Sequence, residues 1–122
     1  MESLERARYL NLATFRKTGV AVETPIWFAE SEGRLYAFSA GDAGKVKRLR
    51  RTSKARVAPC DVRGRVTGAW IEARARVVSD PGVCARAYAA LRAKYGWAMR
   101  LADLLSTLSG RIRRRAVIEI EL

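Results

Sequence analysis

The chain has 122 residues, of which 49% are hydrophobic and 30% charged, and its formal net charge is +12. This balance favours one folded domain over residues 1–122, because disordered chains lack the apolar surface that offsets the entropy of ordering. Histidine is absent, which excludes Ser-His-Asp and Cys-His catalysis and almost every catalytic zinc or iron site. An enzyme with this composition needs a cofactor, or relies on Tyr, Lys, Cys and carboxylates.

The excess positive charge is concentrated in one part of the chain. Residues 41–65 carry nine basic and two acidic side chains, whereas residues 1–40 carry five of each. An anionic partner is therefore expected. Cys60 and Cys84 have the spacing of neither a disulfide framework nor a metal site, and no metal is predicted. The N-terminal residues lack the apolar core of a signal peptide, and no run approaches the roughly 18 apolar residues of a membrane span. We expect a cytoplasmic protein that does not enter a membrane.

Six short β-rich runs predict strands, in the order YLNLATF, VETPIWF, RLYAFS, ARVAPCDV, IEARARV and VIEIEL. The last two alternate apolar and polar residues, as half-buried antiparallel strands do. Turns at 17–19 and 31–33, each ending in glycine, predict that the first three strands form a meander. Pro25 interrupts the second run, which indicates an edge, a bulge or a place where a ligand approaches the backbone.

Three helices are predicted from local signals. In GKVKRLRR, Val46 and Leu49 share one face, and the basic residues lie elsewhere. The next helix has Asp80 as its N-cap and stops at Gly96, and a further helix covers about 98–108. Six strands with helices at the periphery favour a small barrel, because closure removes edge strands.

The stretch SAGDAGKVKRLRR is the strongest candidate for a ligand site. Ser39 ends a predicted strand, Gly44 lies in the turn, and Lys45 begins the helix. Free N–H groups and the helix dipole make such a helix start a good phosphate site. The pattern alone leaves two interpretations open, a phosphate cradle or a solvated basic helix.

Five stretches in order carry a resemblance to a known family: ARYLNLATFRKTG, VETPIWFAE, GRLYAFSAGDAGKVKRLRR, ARVAPCDVRGRVTG and AVIEIEL. Together they resemble the flavin-binding split-barrel family related to pyridoxamine 5'-phosphate oxidase, most closely its short branch dependent on coenzyme F-420. The resemblance covers essentially the whole chain. It implies a mainly β fold with peripheral helices, a six-stranded antiparallel split β-barrel of the Greek-key type. It also implies a homodimer with cofactors in clefts at the interface.

The resemblance also assigns cofactor-binding positions. The cofactor ring is expected along the second strand and the phosphate at the following strand end and helix start. The residues so assigned are Thr24, Pro25, Ile26, Trp27, Phe38, Ser39, Gly44, Lys45 and Arg48. Arg48, with Lys47 and Arg51, is expected either to serve a longer anionic tail, such as that of F-420, or to contact only solvent.

The chain departs from the oxidases of this family in ways that bear on activity. Thr24 stands where the oxidases carry an additional arginine, Ala29 lies near the position of their lysine, and a C-terminal Trp, Arg and His segment is missing. Pyridoxamine 5'-phosphate oxidase activity is therefore not expected. The resemblance implies instead an oxidoreductase that exchanges hydride between F-420, or with lower preference FMN, and an unidentified small organic substrate. No catalytic residue is assigned.

Two alternatives stay open beside the oxidoreductase. One is a flavin or deazaflavin binder without catalysis. The other is a basic nucleic-acid-binding module, which is less favoured because the sequence has no helix-turn-helix, zinc-finger or ribonucleoprotein motif. The run RIRRR, residues 111–115, is interpreted as a strand start on a solvated or dimer-facing surface.

Overall fold

The computed structural model describes residue 4, residues 6–108, residue 110 and residues 115–122. These residues form seven strands and three helices. In chain order they are β1 (Tyr9–Phe15), β2 (Ala21–Ile26), β3 (Phe28–Ser31), β4 (Arg34–Ala40), α1 (Gly44–Arg51), β5 (Lys54–Cys60), β6 (Ile71–Val78), α2 (Pro81–Tyr95), α3 (Trp97–Leu108) and β7 (Arg115–Glu121).

The strands form one antiparallel sheet in the order β2-β1-β5-β6-β7-β4-β3. Its two end strands, β2 and β3, are consecutive in the chain and are joined at Trp27. The sheet therefore curls until its ends meet at this residue. The predicted split barrel with peripheral helices is confirmed.

The number of strands differs from the predicted six because the run VETPIWF is divided. Residues up to Ile26 pair with β1, whereas residues from Phe28 onward pair with β4 at the opposite end of the sheet. A single continuous strand cannot pair with β1 at one end of the sheet and with β4 at the other. The strand is therefore interrupted at Trp27. Pro25 lies on the end strand β2, opposite Asn11, where the absence of an N–H is tolerated.

The barrel interior is filled by alternate strand residues, among them Leu10, Leu12 and Ile118, and α1 adds Val46 and Leu49. The strand β7 is more buried than a half-buried strand, which corrects the prediction for VIEIEL. Glu119 is only 3% exposed although it faces away from the barrel interior.

The two C-terminal helices follow the predicted boundaries closely. Asp80 caps α2, since its Oδ2 accepts a hydrogen bond from the Val83 N–H at 3.0 Å, and the helix ends before Gly96, whose φ is 59°. Helix α3 begins one residue before its predicted start and buries Met99. None of the helices in the described residues has the length and hydrophobicity that crossing a membrane requires.

Candidate functional site

A cleft of about 400 Å3 opens beside the start of α1. Strand β4 brings its C-terminal end to this place, and the break after β2 lies across from it. The cleft is lined by Pro25, Ile26, Trp27, Phe38, Ser39, Ala40, Ala43, Lys45 and Ala102. Six of the nine residues predicted to hold a cofactor therefore share one surface.

The other three predicted residues lie outside the lining. Thr24 stands opposite Leu12 in the ladder between β2 and β1. Arg48 reaches β1, where its Nε donates to the Thr14 Oγ1 at 2.7 Å. Gly44 gives Arg48 room, because a Cβ at this position would lie 2.8 Å from a guanidinium nitrogen. A glycine at the helix start thus lets Arg48 fold back over the first turn.

Positive charge collects at this helix start, on Lys45, Arg48 and the nearby Arg16. Burial and the neighbouring Arg48 lower the pKa of Lys45, and burial and Arg16 lower the pKa of Arg48. Within the described part of the chain none of these three cations forms an ion pair. The first turn has no acidic residue and no side-chain cap, so its N–H groups and dipole add to the positive potential. An anion at this point would offset charge that the described residues leave unmatched.

Ser39 is well placed to contact such an anion. It is buried at the edge of the cleft, and its hydroxyl makes only a long hydrogen bond, 3.3 Å, to the carbonyl oxygen of Ala40. An acceptor in the cleft would offer the hydroxyl a shorter bond. Ser39 and Lys45 therefore approach the same space from a strand end and a helix start.

Two of the lining residues, Trp27 and Phe38, belong to an aromatic cluster that the sequence did not reveal. Trp27 stacks on Tyr95, with ring centroids 4.7 Å apart and planes within 16°, and Phe38 meets Trp27 edge-on at 6.4 Å. The cluster fixes the side chain at the break between β2 and β3. Tyr95 lies at the end of α2, and a helix-spaced aromatic residue was the only sequence signal for it.

Arg115 begins β7, as the sequence predicted for the end of the RIRRR run. Its side chain is 5% exposed in the single chain, so the solvated alternative is wrong for this residue. Its guanidinium lies 4.4 Å from the Phe38 ring centroid, and NH1 donates to the Asp103 Oδ1 at 2.7 Å. Residues 111–114 of the same basic run lie outside the described residues. Through its contact with Asp103, Arg115 holds α3 in place. Because Ala102 on the same helix lines the cleft, Arg115 also positions this wall of the cleft.

The sequence model described as pyridoxamine 5'-phosphate oxidase matches residues 1–122. The chain belongs to the pyridoxamine 5'-phosphate oxidase family. Its membership confirms the predicted resemblance at the level of the family. No curated protein sequence matches this family member significantly.

Solved structures show how widely the fold of this family member is shared. A conserved hypothetical protein from Mycobacterium tuberculosis is 19% identical with a TM-score of 0.70, over 98% of this chain and 79% of that one. HutZ, the heme storage protein from Vibrio cholerae, is 13% identical with a TM-score of 0.73, over 96% and 82%. An FAD-binding protein from Mesorhizobium loti is 18% identical with a TM-score of 0.61, over 94% and 78%. The similar structures thus include both an FAD-binding protein and a heme storage protein.

Proposed function

We propose that this protein is an oxidoreductase that binds F-420 or FMN in the cleft at α1 and exchanges hydride with a small organic substrate. The observation that carries the proposal is the unmatched positive charge at the start of α1, beside a cleft floored by Pro25, Ile26 and Trp27. In this arrangement Lys45, the Ser39 hydroxyl and the first N–H groups of α1 hold the phosphate.

The residues on the other side of the cleft suit a flat ring. Pro25 is exposed on an end strand, and the aromatic cluster behind Trp27 keeps this wall rigid. A bound flavin or deazaflavin supplies the hydride chemistry. The chain contributes the orientation of the ring and, through the apolar wall of Ile26, Trp27 and Phe38, the exclusion of water from one side.

The composition of the cleft favours a flavin over haem. Protein ligands to haem iron are His, Cys, Met or Tyr. None of these types occurs among the residues that line the cleft, and the whole sequence has no histidine. A flavin-binding relative of the same fold supports the same choice.

The proposed phosphate site suits both F-420 and FMN, and the basic residues that follow Lys45 on α1 bear on the choice between these cofactors. Arg48 and Arg51 are held by β1, through the Thr14 hydroxyl and the Phe15 carbonyl oxygen, whereas Lys47 is exposed. This basic surface favours the longer anionic tail of F-420, while the FAD-binding relative favours an ordinary flavin such as FMN. We place F-420 first and FMN second.

A second copy of the chain completes the proposed site. Helix α3, which contributes Ala102 to the cleft, exposes a row of leucines on its outer face. These are Leu101, Leu104, Leu105 and Leu108. An apolar face of this kind beside the cleft supports a homodimer whose interface borders the cofactor.

The test is a titration of the intact protein with F-420 and with FMN, followed by cofactor fluorescence or absorbance. Lys45→Ala is expected to weaken binding by about tenfold or more, because a charge-assisted phosphate contact is lost. Arg50→Ala, which removes an exposed cation of the same helix that is not among the residues proposed for the cofactor tail, is the matched control and is expected to stay within about twofold. Hydride transfer between the bound cofactor and an added organic substrate distinguishes an oxidoreductase from a cofactor binder without catalysis.

Two results would contradict the proposed cofactor site. If neither cofactor binds the wild-type protein and a duplex oligonucleotide binds with strong salt dependence, the basic surface serves nucleic acid instead. Cofactor binding that Lys45→Ala leaves unchanged would place the phosphate elsewhere.

A further inference from the structure

A second and larger cavity lies at the other side of α2, away from Lys45. Its volume is about 1100 Å3, slightly above the roughly 300–1,000 Å3 that is typical of small-molecule sites. Strands β3, β4, β5 and β6, helix α2 and both ends of the described chain contribute to it. Its lining is Leu4, Phe28, Ala29, Glu30, Gly33, Leu35, Pro59, Ala69, Ile71, Ala90, Ala93, Lys94 and Leu122. All but three of these residues are apolar.

Lys94 is the one cation in this lining. Its Nζ lies 3.4 Å from the centroid of the Phe28 ring and 5.4 Å from that of Tyr95. Among the described residues no carboxylate lies within ion-pair distance of it. Burial and the nearby Arg8 lower the pKa of Lys94 to about 8. Among the described residues, the contacts recorded for this half-buried ammonium are thus with aromatic rings, and it lies in a mostly apolar lining.

We propose that this cavity binds an amphipathic carboxylate, with the apolar body against Phe28, Leu35 and Ile71 and the carboxylate at Lys94. Charge complementarity argues for this class, because an anion at Lys94 supplies the counter-charge that the described residues do not. An apolar body is favoured because ten of the thirteen lining residues are apolar. Glu30 is exposed at the same rim and disfavours a second anionic group on the ligand.

The site is separate from the cofactor cleft. The two linings share no residue, and the stacked pair Trp27 and Tyr95 lies between Lys94 and Phe38 along the aromatic cluster. Loss of one site is therefore measurable while the other is retained.

The probe is cis-parinaric acid, a fluorescent long-chain carboxylate, titrated into the intact protein at pH 7. We expect saturable one-to-one binding, weakened about tenfold or more by Lys94→Met, because the charge-assisted contact is removed while the apolar stem is kept. Lys47→Met is the matched control and is expected to bind as the wild type does. The methyl ester of the probe, which lacks the charge, is expected to bind the wild type as weakly as the acid binds Lys94→Met.

A second variant fills the space without changing charge. Ala93→Trp lies on the exposed side of α2, so the fold tolerates it, and it is expected to weaken probe binding with F-420 or FMN binding unchanged. Absence of probe binding to the wild type, or equal affinity for Lys94→Met, would overturn the proposal. A third result would also overturn it: the wild type fails to bind the probe, and Ala93→Trp converts a dimer into a monomer. In that case a second copy of the chain occupies the cavity.

Discussion

At the scale of single residues, Tyr95 connects three parts of the chain through one hydroxyl group. This hydroxyl donates to the carbonyl oxygen of Arg8 at 2.6 Å and accepts from the Phe28 N–H at 2.9 Å. Burial raises the pKa of Tyr95 to about 12, so the hydroxyl keeps its proton across the physiological range. Tyr95 thereby ties the end of α2 to the break between β2 and β3.

Tyr95→Phe is expected to lower the free energy of unfolding by about 1–3 kcal/mol, because the buried Phe28 N–H loses its acceptor. The stacked ring is retained, so the loss isolates the hydroxyl. Chemical denaturation measures the stability, and amide hydrogen exchange at Phe28 is expected to become faster. Unchanged stability and unchanged exchange would show that another acceptor replaces the hydroxyl.

Buried polar side chains were the part of the molecule that the sequence could not predict. Glu119 accepts from the Tyr36 hydroxyl at 2.9 Å and pairs with Arg76 at 2.7 Å, and Tyr36 lies 83 positions away in the chain. Alternation in VIEIEL predicted only that Glu119 faces away from the barrel interior. Whether other residues cover that face depends on where α2 packs against the sheet. A local sequence pattern does not indicate this position.

At the scale of elements, the helices were predictable because their signals are local. Asp80, Pro81 and Gly96 mark both ends of α2 within the helix itself. The division of the second strand was not predictable in the same way, although Pro25 indicated an irregularity. The break at Trp27 arises because β1 and β4, the partners of β2 and β3, are the second strands from opposite ends of the sheet.

Helix α3 is held to the barrel by a charged contact, and this contact is open to test. Asp103 Oδ1 accepts from Arg115 and Oδ2 accepts from the Arg92 Nε at 3.1 Å. Burial tends to raise the pKa of Asp103, but hydrogen bonds from Arg115 and Arg92 outweigh it and lower the pKa. Asp103→Asn is expected to cost about 1.5–3 kcal/mol at neutral pH, measured by chemical denaturation.

The pH dependence of this loss follows from the direction of the pKa shift. A carboxyl with a lower pKa in the folded state stabilises the fold above its unfolded pKa, and this contribution disappears as pH falls through the folded pKa. The stability difference between the wild type and Asp103→Asn is therefore expected to be constant near neutral pH and to shrink below about pH 4. Asp42→Asn, at an exposed loop position, is the control. A difference that stays constant down to pH 2 would contradict the ion pair.

At the scale of the whole molecule, the proposed dimer depends on the outer face of α3. Leu104 and Leu105 are 55% and 58% exposed in the single chain, on the same helix as Ala102, which lines the cleft at α1. Sedimentation is expected to give about twice the chain mass of 13.6 kDa. The double substitution Leu104→Glu and Leu105→Glu is expected to produce monomers that bind cofactor more weakly.

The control for this experiment is Val20→Glu, another exposed apolar position, in the turn between β1 and β2. It is expected to leave the mass unchanged. A wild-type monomer that binds the cofactor fully would contradict the interfacial site while leaving the contact at Lys45 intact.

The meeting of β2 and β3 at Trp27 also bears on how the protein avoids aggregation. Sheet ends expose unpaired backbone groups, to which strands of other molecules can add. Here one end strand carries Pro25, and the other is only four residues long and is packed against α2. A proline interrupts any incoming ladder, and so short a strand offers little length for pairing. The same break that borders the cleft at α1 therefore leaves both end strands poorly suited to edge-to-edge association.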